Sequence, residues 1–405
     1  MLAAPAVSHW LTEQRVRVYS CIVLSIFLAA YIGLTALSLP GFVDPRGKPV
    51  GYDFIAFWSA ARLAVEGRPE AAFDWATIAA AHHEAVPAIG DKVFLWHYPP
   101  TFLLLILPLG LLAYPAALVA FAGSTAALWA GLIRALFHDK RAWLVAAAAP
   151  AGLMNLIDGQ NGFLTAGFAG LAMVQLERRP RLAGMLIGML AIKPHLAVLF
   201  PLALVASRRW QALVSAAVTA VGFTALAVAA FGLPTTSAFL RDLTQLGDIV
   251  DRAGLPWGQM PSPYVLMLSL HAARLAAAVQ TLAALGAAIC VWLAWRNEHA
   301  SFEAKAAALF ASSMLVSPYL FIYDLTWDAV AIAFLAILGL RGGFLRGERE
   351  VLVAAWVAPL ALYPLYWLTG LQLGCAVLVM LLVAAMRRAM QPPSLPLASF
   401  ACREP

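Results

Sequence analysis

Charge is the scarcest commodity in this chain. Only 12% of its 405 residues are Asp, Glu, Lys or Arg, about half the share of an ordinary soluble domain. A chain this long with so little charge cannot present a water-facing surface, which excludes a soluble enzyme, a nucleic-acid binder and a disordered protein. Cysteine is nearly absent as well. Of the four, Cys21, Cys290 and Cys375 lie in apolar runs and Cys402 lies in the tail. None has the paired spacing of a zinc or redox site, so all read as small hydrophobes. No glycine-rich phosphate cradle and no metal-spaced His/Cys/Asp cluster is present.

What the chain has instead is apolar length. Hydrophobic residues make up 62% of it, and the mean hydropathy is +0.81. The expected fold is an all-α polytopic membrane protein. The net charge of +6 reads as basic loops that orient the spans rather than as a nucleic-acid surface. Arg15 and Arg17 precede an apolar run from Tyr19 to Leu39, which is long enough to span a bilayer and is read as a retained first helix.

Basic clusters punctuate the apolar runs: Lys140/Arg141, Arg178/Arg179/Arg181, Arg208/Arg209, Arg296 with Lys305, Arg341/Arg346/Arg349 and Arg387/Arg388. If all of them face the cytoplasm, each stretch between neighbouring clusters crosses the membrane an even number of times. Hairpins then break at Asp158–Asn161, at Lys193–His195, at Ser317–Asp324 and near Thr369-Gly370. A single long helix over Leu182–Ser207 is the alternative to the second hairpin. Gln211–Phe231 is expected to span, followed by a loop of about thirty residues and a returning helix through Leu275–Trp295. Tyr98–Leu136 fits a short re-entrant or interfacial helix before one full span. The total is roughly twelve crossings with both termini inside. Residues 1–18 form the cytoplasmic N-terminus, 19–390 the transmembrane domain with a first extracytoplasmic loop over 40–97, and 391–405 a cytoplasmic tail. That large loop is expected to bear interfacial helices, with helix-like stretches at Ile55–Glu66 and Phe73–Glu84, and its aromatic residues read as an interfacial belt.

Under this topology the unusual polar groups all fall opposite the basic clusters. Asp53 stands directly before the apolar residues Phe54, Ile55, Phe57 and Trp58. It is either a helix N-cap or a carboxylate of raised pKa placed to accept a proton. Asp158, Gln160 and Asn161 cluster beyond what a turn requires. Lys193 and His195 straddle Pro194 between apolar arms, where a lysine either snorkels or meets an anion. Tyr319, Tyr323 and Asp324 mark a further apex, and Asp328 shares a helical face with Asp324. Tyr52, His97 and Tyr98 supply aromatic and polar contacts. A carboxylate, an amide pair, a cation and aromatic platforms suit chemistry between a phosphate-bearing lipid and a polar acceptor.

The order GYDF (Gly51–Phe54), HYPP (His97–Pro100), DGQN (Asp158–Asn161), IKPH (Ile192–His195) and SPY…YD (Ser317–Asp324) resembles glycosyltransferase family 87. These are polyprenyl-phosphate-mannose-dependent α-mannosyltransferases of the GT-C superfamily, and the likeness runs from about Tyr19 to Asp328. It implies a GT-C-like bundle that uses no cofactor and transfers a sugar with inversion from a polyprenyl-phosphate-sugar donor to a lipid or glycan acceptor. The family's essential aspartate matches Asp53. The paired acids of other GT-C loops are missing here, since Phe54 follows Asp53 and the nearest preceding acid is Asp44. That speaks against a protein O-mannosyltransferase or an oligosaccharyltransferase.

The full expectation is an integral, multi-pass protein of a bacterial inner membrane, surrounded by lipid, binding no nucleic acid and working on the periplasmic face. Asp53 is the expected base, and Lys193 with His195 holds the donor phosphate. Tyr52, His97, Tyr98, Asp158, Gln160, Asn161, Tyr319, Tyr323 and Asp324 contact sugar or acceptor. No metal ligand is expected. The alternative is a transporter or flippase for a lipid-linked sugar, which would be expected to show two matching halves.

Overall fold

The computed structural model describes residues 10–39, 41–253 and 256–391, with the side chains of 245–253 excepted. Cys402 and nearly all of the expected cytoplasmic tail lie outside the described residues. Among those described, the regular structure is entirely helical. It begins with α1 (Glu13–Ser38), capped by Thr12, whose side chain accepts from the Arg15 N–H. α2 (Phe54–Val65), α3 (Trp75–Ala85) and α4 (Pro100–Ile106) follow, then α5 (Tyr114–Leu136).

The next helices are paired and short: α6 (Lys140–Ala147) and α7 (Pro150–Ile157) before α8 (Gly162–Gln175), then α9 (Pro180–Gly188), α10 (Pro194–Ala197) and α11 (Leu199–Ala206). The longest element is α12 (Trp210–Ala253), after which α13 (Pro263–Ser269) leads into α14 (Ala273–Arg296). Two hairpins close the chain: α15 (Phe302–Val316) with α16 (Thr326–Gly342), and α17 (Glu348–Thr369) with α18 (Gly374–Ala389).

Among the described residues, six helical segments are long and apolar enough to cross a membrane: Glu13–Ser38, Tyr114–Leu136, Trp210–Thr244, Ala273–Arg296, Ile322–Gly342 and Glu348–Thr369. The other arms of the expected roughly twelve crossings are shorter. Pro180–Ile192 and Pro194–Ala206 each rise only about 20 Å at 1.5 Å per residue, against a hydrocarbon core of about 30 Å. Exposure tells which helices face lipid. α1, α12 and α14 leave Ile26, Ile32, Val218, Val221, Leu282 and Ile289 uncovered, whereas 72% of the most apolar stretch of Ile322–Gly342 is buried.

The hairpins close as their charge pattern requires. Glu177 before α9 meets Arg209 after α11 at 2.7 Å, so the chain reverses at Lys193-Pro194 and the single long helix is excluded. Glu303 meets Arg341 at 2.6 Å across the α15–α16 hairpin, and Glu348 meets Arg388 at 2.5 Å across α17–α18. Glu13 pairs with Arg141 in the same manner. Charged ends therefore gather with charged ends, and the polar apexes are left to meet one another.

Two expectations are corrected here. The stretch after Phe231, expected as a loop of about thirty residues, is helical as far as Ala253. α12 bends at Gly232, whose φ of 78° is a left-handed value that an L side chain adopts at a cost, and runs on past Pro234 to Ala253. Nor do the first-loop aromatics Phe54, Phe57, Trp58 and Trp96 form an interfacial belt, although Trp75 is exposed. Phe54, Phe57, Trp58, Trp96 and Phe102 are buried in a second hydrophobic core, where Trp96 stacks on Phe102 at 5.6 Å. α2 buries nine of its twelve residues and is a core helix, not an interfacial one. The reason is composition: Phe, Trp and Ile fill one side of α2 and Ala56, Ala60 and Leu63 the other, so no polar face remains to meet water.

Candidate functional site

Four chain reversals build the site. The first is the GYDF turn, which enters α2 through Asp53. Asp53 occupies the N-cap position, but its backbone is helical and its side chain makes no capping hydrogen bond. The carboxylate is free for other work. The second reversal, DGQN, lies against the first, because the Asp53 N–H donates to the Asp158 carbonyl at 3.1 Å. Gly159 permits this approach. A Cβ there would stand 2.4 Å from the Gly51 carbonyl oxygen, and its φ is +60°. The third and fourth reversals place Lys193 at the α9–α11 apex and Asp324 at the α15–α16 apex.

Hydrogen bonds connect these apexes. Gln160 Nε2 donates to Asp53 Oδ2 at 2.8 Å, while Gln160 Oε1 accepts from the Tyr98 hydroxyl at 3.1 Å and from the Asn161 N–H at 3.3 Å. Those donors on Oε1 fix which end of the amide faces Asp53. Lys193 Nζ donates to Asp324 Oδ1 at 2.5 Å and to Asn161 Oδ1 at 3.4 Å. The same ammonium lies 5.1 Å from the Tyr323 ring and 6.0 Å from the Tyr98 ring. Tyr323 in turn stacks on Phe321 at 5.2 Å. Two polar atoms, Asn161 Nδ2 and His195 Nε2, are buried without a hydrogen-bond partner.

The structure therefore brings Asp53, Tyr98, Gln160, Asn161, Lys193, Tyr323 and Asp324 into one network. Asp158 adjoins it through its backbone. Tyr52 faces away and donates to Asp44 Oδ2 at 2.9 Å. His97 is bound elsewhere, with Nδ1 2.8 Å from Asp242 Oδ2 on the far half of α12. Tyr319 sits in the 317–321 loop, where its N–H donates to Ser317 Oγ at 3.2 Å. The expectation that Lys193 lacks an anion within the protein is corrected: Asp324, itself fully buried, supplies one. A buried cation without a partner is expensive enough that the fold provided its own.

Electrostatics distinguish the two neighbouring acids. Burial raises the Asp53 carboxyl above the ordinary carboxylate range, and the Gln160 hydrogen bond, with the charges of Lys48 and Lys193, pulls it partly back. Burial also raises Asp158, and the Asp53 charge raises it further. Burial therefore raises both carboxyls, and ionisation of one disfavours ionisation of the other. Burial, Asp324 and Asp53 hold the Tyr98 phenol well above its usual value, so it stays protonated and donates to Gln160. Among the described residues, no three His, Cys, Asp or Glu side chains converge as metal ligands would.

Lys48 escaped the sequence reading. It stands five residues before Asp53, in the segment expected to face away from the basic clusters, and its cationic character in that place was the available signal.

A helical membrane protein whose polar apexes assemble a carboxylate, an amide bridge and aromatic rings around a buried ion pair is built to act on a polar substrate at a membrane. The particular family follows from comparison: residues 96–318 match the model of glycosyltransferase family 87, and the chain belongs to that family. It is a membrane glycosyltransferase, which sets the transporter alternative aside. The matched span includes Tyr98, Gln160, Asn161 and Lys193 and begins downstream of Asp53. No curated protein and no solved structure matches the chain.

Proposed function

We propose that the protein transfers a sugar, mannose in the first instance, from a polyprenyl-phosphate-sugar donor to a lipid or glycan acceptor, with inversion and with Asp53 as general base. The reading rests on one observation: Asp53 does no capping, and among the described residues only one of its oxygens is engaged, by Gln160. The other oxygen is available to an acceptor hydroxyl. As that hydroxyl attacks the anomeric carbon from the face opposite the phosphate, its proton passes to Asp53 and the polyprenyl phosphate departs. A single displacement needs one base.

The sugar would lie against Tyr98 and Tyr323, and Asn161 Nδ2 and His195 Nε2 are the buried polar atoms left for its hydroxyls. Lys193 acts through its pair with Asp324 and fixes the three apexes relative to one another. The GT-C-like bundle and placement of the site on the periplasmic face of a bacterial inner membrane are supported by the separation of the polar apexes from the charged hairpin ends. The test is incubation of purified protein with radiolabelled polyprenyl-phosphate-mannose and a membrane extract. Transfer that wild type performs and Asp53→Asn does not supports the reading. No transfer by wild type from this donor refutes the mannose assignment.

A further inference from the structure

In the segment between α1 and α4, several cations are matched by carboxylates. Arg62 meets Glu66 at 3.2 Å and Glu84 at 3.4 Å, and Arg68 meets Glu66 at 2.8 Å. Arg46, Lys48 and Lys92 form no ion pair among the described residues, yet they converge. A Cβ on Gly47 would stand 2.7 Å from Lys92 Nζ, so this ammonium lies against the turn that carries Arg46 and Lys48. Asp44 shapes that turn and offsets one of its three positive charges, leaving an excess of cations. Its Oδ1 accepts the backbone N–H groups of Arg46 and Lys48, each at 2.8 Å, and its Oδ2 takes the Tyr52 hydroxyl.

Lys48 is the innermost of the three. It is half-buried, while Arg46 and Lys92 are exposed, and its Nζ sits 4.8 Å from the ring of Tyr52, the residue before Asp53. Its charge reaches the carboxyls of both Asp53 and Asp158. Like charges crowded on one turn repel unless an anion joins them. Lys193 already donates to Asp324 and Asn161, and its charge is matched by Asp324, whereas Lys48 forms no ion pair among the described residues.

We propose that Arg46, Lys48 and Lys92 form an anion subsite for the phosphate of a lipid-linked sugar, with Lys48 as the inner contact. The assignment rests on the donor class proposed above and moves the phosphate from Lys193 to the first loop. The two exposed cations attract the headgroup, and Lys48 holds it beside the site while negative charge grows on the leaving oxygen.

The test reads binding, so it does not depend on Asp53 as base. Full-length protein in phosphatidylcholine nanodiscs is titrated with polyprenyl phosphate for wild type, Lys48→Gln, Lys48→Arg and the triple variant Arg46→Gln/Lys48→Gln/Lys92→Gln. Lys48→Gln should weaken binding about tenfold or more, as expected for loss of a charge-assisted contact. Lys48→Arg should retain most of it, and rising salt should weaken wild-type binding. Displacement of the probe by inorganic phosphate supports the site. Equal displacement by phosphatidylglycerol overturns the donor assignment in favour of a bilayer-lipid contact. Unchanged binding in the triple variant, with its thermal unfolding unaltered, overturns the subsite altogether. Loss of binding in the variants, alongside a wild type that transfers no sugar from any such donor, would sustain the subsite and defeat the proposed reaction.

Discussion

Lys193 and Asp324 lie 131 positions apart in the chain, and their side chains meet at 2.5 Å with almost no exposure of either. The pair ties the apex of one hairpin to the apex of another, and Asn161 from a third hairpin joins it at 3.4 Å. Removing one partner leaves the other charge buried and unmatched. Lys193→Gln should therefore destabilise the protein by about 3–5 kcal/mol. Adding Asp324→Asn should recover a large part of that loss, because no net charge then remains buried. Thermal unfolding of the two single variants and the double variant in detergent forms the cycle. Additive losses would show that the two side chains do not depend on each other.

The two adjacent acids should behave differently. Asp53→Asn should lower turnover by about two to four orders of magnitude, the usual contribution of a general base. Asp158→Asn should retain most of the activity, since burial and the Asp53 charge both push this carboxyl towards its neutral form, which Asn resembles. Steady-state transfer rates at matched expression separate them. If Asp158→Asn is the dead variant and Asp53→Asn the live one, the base has been assigned to the wrong neighbour.

Hairpin breaks were legible in the sequence because turn chemistry and basic clusters are local signals. Asp158–Asn161, Lys193–His195 and Ser317–Asp324 all fall where the chain reverses. Asp53 was legible as a residue but not as a choice between cap and base, since both need a carboxylate at the same position. Its non-capping geometry emerges only when Gln160, 107 residues away, is placed beside it. The Lys193–Asp324 partnership was hidden for the same reason. Spacing reveals that each residue is out of place in an apolar run, but not that each explains the other. The helical course beyond Gly232 was obscured by Gly232 and Pro234 themselves, which read as a helix end and act here as a bend. Burial of the first-loop aromatics depends on tertiary contacts with α4 and α5 that no local pattern carries.

Sidedness can be tested without chemistry. In a background lacking native cysteines, single cysteines at the exposed positions Glu70 and Asp91 should react with an impermeant thiol reagent added outside intact cells. Cysteines at Arg179 and Arg346 should react only after permeabilisation. Labelling of Arg179→Cys from outside would invert the bundle and place the site on the cytoplasmic face.

Gln160 offers the sharpest test of how the base is held. Its N–H favours the ionised form of Asp53 and so lowers a carboxyl that burial has raised. A raised carboxyl loses its capacity as base when the pH falls through its pKa, so the acid limb of the rate profile should lie above the ordinary carboxylate range of about 4. Gln160→Glu replaces the donor with an oxygen that is either charged or in need of the proton itself. The sign is then fixed: Asp53 becomes harder to ionise, and the acid limb moves to higher pH. Tyr98→Phe should have a smaller effect in the same direction, since it removes one of the two bonds to Oε1 that orient the amide and leaves the Asn161 N–H in place. The measurement is kcat against pH for wild type and both variants. Activity lost equally at all pH values, with no movement of the limb, would reduce Gln160 to a packing role.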